Sequence, residues 1–469
     1  MVHSNMQYIA SQRSKFNQNT KATKSHMIGN LALGLILSSY FFAQAFNWYA
    51  LFLQTDGSPD TSATTAIRLA LQVPLLAGFS LVLWYGAFRQ LPAHLRLLAW
   101  AASMCFLFSL ARGLLGILMG DYRVYYVFGD AFRFLVSWGG FFGVIGSRML
   151  LGYNSEKALR RLLNAVIFIA VLDGIATILI YFTFSIFKIS TTAYIPGIFI
   201  GLAYLSSYPF RPIPLIALGF VAMIISGKRS PIISSTLTLA IATALSIGNL
   251  VLRNPRGIGF SKNRLSRAGL AIMALLLAVS IFLIGFQMGL DTFIGGRGTS
   301  LYQNVLSITR GFTGEEEIDS SFNSRLLEQK NIEEHFSNNL LELPLGSGFG
   351  AEIQMVFDTG VETPSGRMHH AHITWTVYTL RNGIFGVFLV AAYFVIVGSQ
   401  LGRRAFSNKK VSMLAMAGFL QLLYNFFSST NSNIMLENFS ILPAIATAWT
   451  ITPKMSARRS TTFHYKPAV

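Results

Sequence analysis

Long apolar runs separated by short polar turns make up most of the chain, and one long polar interval interrupts them. The runs fall at roughly 27–47, 67–86, 95–119, 124–147, 162–184, 192–208, 212–226, 231–252, 268–289, 373–400, 411–429 and 437–452. A helix needs about 20 mainly apolar residues to cross a bilayer. The runs are continuous rather than alternating, which predicts helices, the form in which a lipid-exposed backbone satisfies its own hydrogen bonds. The expected fold is an all-α polytopic membrane protein with about 12 transmembrane helices and one large helical extracytoplasmic loop. Its parts would be a disordered cytoplasmic tail (1–26), helices over 27–290, the loop (291–372), three more helices over 373–452 and a second cytoplasmic tail (453–469).

Composition sharpens this picture. Hydrophobic residues make up 52% of the chain and charged residues 12%, against about 25% charged in a soluble domain. The net charge of +18 would suit nucleic acid, but the cations sit in short clusters between apolar runs. There they orient helices and meet membrane lipids, so no nucleic-acid partner is expected. Counting Lys and Arg in short loops puts both termini in the cytoplasm and 291–372 outside, as an even number of spans also requires. One turn opposes that bias. Ser226-Gly227-Lys228-Arg229-Ser230-Pro231 places two adjacent cations on the outer side, where an anionic ligand would explain them. Asp130 and Arg133 are three apart and can pair on one helix face, while Arg112, Asp173 and Arg381 face either the bundle interior or a ligand groove. Cys105, the single cysteine, lies in an apolar run and excludes an intrachain disulfide.

The loop holds 12 of the 19 acidic residues but five of the 37 Lys and Arg. Residues 320–341 predict a helix capped by Ser320, Ser321 or Asn323, with Leu326, Leu327, Ile332, Phe336 and Leu340 as its apolar face. Arg325 falls in its first turn, where the helix dipole disfavours a cation. It faces either an anion, together with the amino-terminal amides, or Glu328. Gly346, Gly348 and Gly350 alternate in Leu345-Gly346-Ser347-Gly348-Phe349-Gly350, which permits tight turns and close approach to a ligand. His369, His370 and His372 follow. Their spacing at a loop-to-helix junction suits a metal ion poorly, so no metal or cofactor is expected. An imidazole there is better fitted to take a proton from a sugar hydroxyl.

His372 is followed by Gly383 and Gly386, eleven and fourteen residues on. This resembles the His–x10–Gly–x2–Gly signature closing the large periplasmic loop of the O-antigen ligase/polymerase family. Arg325 with the glycine segment beginning at Leu345, and the Ser226–Ser230 turn, resemble two further motifs of that family in the same order. The sequence departs from the family pattern at Ile373, Arg381 and Leu326.

The resemblance implies a GT-C-like, inverting, metal-independent glycosyltransferase of the bacterial inner membrane. Its donor would be a glycan on undecaprenyl diphosphate, and its acceptor a lipid-core or lipid-linked glycan. It also implies that Arg229 and Arg325 neutralise the leaving diphosphate and that His372 is the base. Lys228, Gly346, Gly348, Gly350, His369 and His370 would line the substrates. The competing expectation is a polysaccharide or lipid-linked oligosaccharide flippase, which would have no need of a long acidic loop carrying a helix.

Overall fold

The computed structural model describes residues 2–53, 67, 70–152, 155–184, 193–205, 212–225, 320–357, 367–369, 371–406, 412–430 and 441–451, with a few positions between 231 and 241. Lys228, Arg229, His370, the expected span at 268–289 and most of the one at 231–252 lie outside the described residues. So do residues 291–319 and the tail from 452.

The described chain is almost entirely helical. In order come α1 (Val2–Leu53), α2 (Val73–Trp84), α3 (Ala93–Met119), α4 (Val124–Leu151), α5 (Ser155–Phe184), α6 (Ile195–Leu205) and α7 (Ile213–Ile225). Farther along the chain come α8 (Ser320–Asn338), the two-residue strands β1 (Ile353–Gln354) and β2 (Arg367–Met368), α9 (Thr374–Ala405), α10 (Ser412–Ser429) and α11 (Ile441–Thr450). Among the described residues, five stretches are long and apolar enough to cross a membrane: Thr23–Tyr49, Ala93–Met119, Val124–Leu151, Ser155–Ile180 and Thr374–Ala405. Five shorter apolar helices accompany them, an architecture compatible with an all-α membrane protein. At the amino terminus, the polar stretch read as a disordered tail is helical and runs without a break into the first apolar stretch. No Pro or Gly interrupts residues 2–26, and nothing else there forces the helix to stop.

Helix α4 forms the centre, with α1, α2, α3 and α11 packed on it. Its glycines make this close packing possible: a Cβ on Gly139 would lie 3.0 Å from the Phe79 ring, and one on Gly143 would lie 2.9 Å from Ile36. The interior also holds a carboxylate. Asp173 accepts hydrogen bonds from the Trp48 indole N–H at 2.7 Å and the Tyr194 backbone N–H at 2.9 Å. It therefore faces the bundle interior, tying α1, α5 and the start of α6 together, as a buried polar group requires.

One span is broken. Within α9, Gly383 takes φ 63° and ψ −156°, which interrupts the helical ladder. The segment after α8 supplies the missing partners. The Leu380 and Arg381 carbonyls accept from the Ser347 and Gly348 N–H groups at 2.7 and 3.2 Å. The Ile384 and Phe385 N–H groups donate to the Leu343 and Pro344 carbonyls at 3.0 and 3.3 Å. A broken spanning helix is tolerated when protein rather than lipid meets its freed backbone groups. Gly383→Ala is therefore expected to lose folded protein. A Cβ there would sit 2.5 Å from the Leu343 carbonyl oxygen, and the backbone conformation alone costs about 1–3 kcal/mol for a non-glycine residue. Monodispersity and melting temperature in detergent would measure the loss.

Candidate functional site

The site lies at the end of the bundle where α3 ends and where α4 and α9 begin. Three polar clusters hold the segment from α8 to α9 against it. The first is buried inside the helix bundle. Asp130 of α4 and Arg381 of α9 form a direct ion pair, each 2% exposed at the side chain. Asp130 also accepts the Gly350 N–H at 2.8 Å, and Arg381 donates to the His369 carbonyl at 3.1 Å. Asp130 is thus paired across two spans with Arg381, in addition to whatever it shares with its helix neighbour Arg133. Arg381 faces the bundle interior rather than a ligand groove.

His369 belongs to the same cluster. Its ring stacks on Tyr126 at 3.6 Å between centroids, and Nδ1 lies 3.3 Å from the Ala351 carbonyl. Burial and then the Arg381 charge push its pKa down to about 2, so the ring is neutral at physiological pH. Nδ1–H then donates to Ala351. His369 sits beneath the loop as a packed, neutral group.

The second cluster fastens the other end of the loop. Arg112 of α3 pairs with Glu342 at 3.0 Å, which places this cation toward the loop. His335 Nε2 lies 2.9 Å from the Ser347 hydroxyl and 3.3 Å from Glu342, and Ser347 donates to Glu342 at 2.7 Å. Glu342 is held below the usual carboxylate range chiefly by its hydrogen bond with His335, with burial opposing and Ser347 and Arg112 adding.

The three glycines work between these clusters. Gly346, Gly348 and Gly350 all have positive φ, at 76°, 98° and 76°. A Cβ on Gly346 would lie 2.5 Å from the backbone of Arg381 and Asn382, and one on Gly348 would lie 2.7 Å from Arg112. One on Gly350 would lie 2.7 Å from the Val127 backbone nitrogen. The close approach read from the sequence is made here to the neighbouring helices.

The third cluster carries the candidate chemistry. Helix α8 ends at Asn338, before the limit expected from the sequence, so Leu340 is exposed and lies outside the helix. Ile332 and Phe336 are buried as expected, but so are Glu328 and Asn331 on the same face. Asn331 accepts the Val356 and Phe357 N–H groups at 2.8 Å each and pins the β1 segment. Glu328, 3% exposed at its side chain, takes hold of His372, which is 59% exposed. One carboxylate oxygen lies 2.6 Å from His372 Nδ1 and the other accepts the His372 N–H at 2.8 Å. With Nδ1–H donated to Glu328, Nε2 is the unprotonated nitrogen of this exposed ring.

Arg325 lies on the same helix, three residues before Glu328. It sits in the second turn rather than the first, since α8 begins at Ser320. It is half-buried; burial lowers its pKa from the ordinary arginine value, and the Glu328 charge raises it. Among the described residues it forms no direct ion pair, while Glu328 is engaged by His372. Glu328 thus binds His372 directly and acts on Arg325 through its charge. Glu328 is the residue that sequence reasoning passed over, having weighed it merely as a neighbour for Arg325. His369 and His372 have separate partners on different elements and do not share a point in space. Among the described residues no three His, Cys, Asp or Glu side chains gather as metal ligands. No protein-family model and no curated protein matches the chain.

Proposed function

We propose that this chain is a membrane glycosyltransferase that moves a glycan from undecaprenyl diphosphate to a sugar hydroxyl outside the cytoplasmic membrane, in surface polysaccharide assembly. The observation that carries the reading is an exposed imidazole whose Nδ1 is held by a buried carboxylate, with a half-buried arginine on the same helix. The imidazole is fitted to take a proton and the guanidinium to meet an anion.

In this reading the acceptor oxygen attacks the anomeric carbon from the side opposite the carrier lipid. The bond from that carbon to the diphosphate oxygen breaks, and its electron pair leaves with the diphosphate. His372 takes the hydroxyl proton. Arg325 meets the negative charge that develops on the leaving group, a preorganised electrostatic role. A partly desolvated guanidinium with no direct carboxylate partner among the described residues gains most from such an anion. Arg229 and Lys228 are assigned the same duty from the sequence alone, as a paired donor and a point charge.

The test is donor use. Arg325→Ala is expected to lower transfer by about 10²–10³-fold, the usual loss for one transition-state donor, and Arg229→Ala by a similar amount. Wild-type transfer in both variants would end the proposal. A deletion strain then separates the two acceptor classes. Single repeat units without long chains indicate a polymerase, and full-length chains stranded on carrier lipid indicate a ligase.

A further inference from the structure

We propose that Glu328 is a positioning residue for the base: it fixes the His372 tautomer with the proton on Nδ1, so that Nε2 accepts the acceptor's proton, and it stabilises the imidazolium formed when that proton arrives. The proposal rests on the glycosyl-transfer reading above and assigns a residue that the reading does not require.

Three observations carry it. Both carboxylate oxygens are spent on one residue, one on the ring and one on the backbone N–H, so the ring's position and rotation are fixed together. The carboxylate is almost fully buried while the ring it holds is exposed. Finally, the same helix offers a comparison one turn on. Asn331 pins two backbone N–H groups, of Val356 and Phe357, with a neutral amide. If fixing the chain at His372 were the whole task, an amide would serve there too, without the cost of several kcal/mol of burying an ionised group. A carboxylate is favoured where its partner becomes a cation during the reaction.

The proton balance is closed. The acceptor's O–H bond breaks as its oxygen bonds the anomeric carbon, the proton goes to Nε2, and Glu328 remains ionised throughout. The imidazolium then returns its proton to water after the product leaves. A carboxylate of this kind orients the ring and supports its charge without itself becoming protonated.

The experiment uses the purified full-length chain in proteoliposomes with the lipid-linked glycan pool extracted from the source cells, which carries both donor and acceptor. Glu328→Gln keeps the shape and the acceptor oxygen but removes the charge. Its kcat should fall by about 10²–10⁴-fold, with the pool concentration at half-maximal rate within about threefold of wild type and an unchanged melting temperature. Wild-type kcat in Glu328→Gln, or a loss confined to KM, overturns the assignment. Should Glu328→Gln not fold, Glu328→Asp decides, since it retains the charge but sets it back by about 1.5 Å. Lowered kcat at unchanged KM supports the proposal, and wild-type kcat overturns it. The underlying reading fails separately: a wild-type protein that forms no glycosidic bond, or a His372→Ala variant with full turnover, overturns that reading and this proposal with it.

Discussion

Transfer by the His372→Ala variant is expected to fall by about 10²–10⁴-fold, the range a positioned general base supplies. The protein itself should survive the change. The side chain is 59% exposed, so its removal opens no cavity, and the backbone N–H of residue 372 still donates to Glu328 as it does now. Expression level, elution volume and melting temperature should therefore match wild type while turnover is lost. This separation distinguishes a chemical role from a structural one, since a destabilised variant would lose all of them together. His369 provides the contrast. Buried, stacked on Tyr126 and neutral, it should fail as a structural residue when truncated.

The second large effect is expected at the buried Asp130–Arg381 pair. Asp130→Ala or Arg381→Ala leaves one charge buried without its partner, which costs roughly 3–5 kcal/mol. Either change should lower the melting temperature sharply and lower transfer as well, because the pair also anchors Gly350 through its N–H and the His369 carbonyl, three residues from His372. The double variant Asp130→Leu/Arg381→Met should be more stable than either single variant, since replacing a buried pair with packed apolar side chains is often neutral or better. Thermal melting of the three variants in detergent checks the ordering. Recovery of stability without recovery of transfer would assign the pair an additional part in placing the loop.

The apolar runs made the helices legible, because a run of about 20 residues without charge has few other folds available. The loop helix was legible as well, from Ile332 and Phe336 at helical spacing. Its end was not: Leu340 fits the apolar stripe but is exposed, in a short 3₁₀ turn that follows the end of α8. What periodicity cannot show is which distant side chains meet. Arg381 in an apolar run announces the need for a partner, and Asp130 does the same, but only the packing of α4 against α9 joins them. Glu328 looked like one of many acids in an acidic loop. Its role depends on a contact with His372, 44 positions on, that no local pattern encodes. The glycines were legible as tight turns but not in their use. Gly383 breaks a span, and the turns at Gly346 and Gly348 exist to fill that break.

The most direct measurement of the central claim follows the glycan itself. Purified wild-type and His372→Ala proteins are reconstituted with the extracted lipid-linked glycan pool, and the products are separated by mass. The account predicts a new glycosidic bond to an acceptor hydroxyl with release of undecaprenyl diphosphate by wild type, and loss of both with His372→Ala. Glycan that crosses the bilayer still attached to its carrier lipid, with no new bond formed, would contradict it.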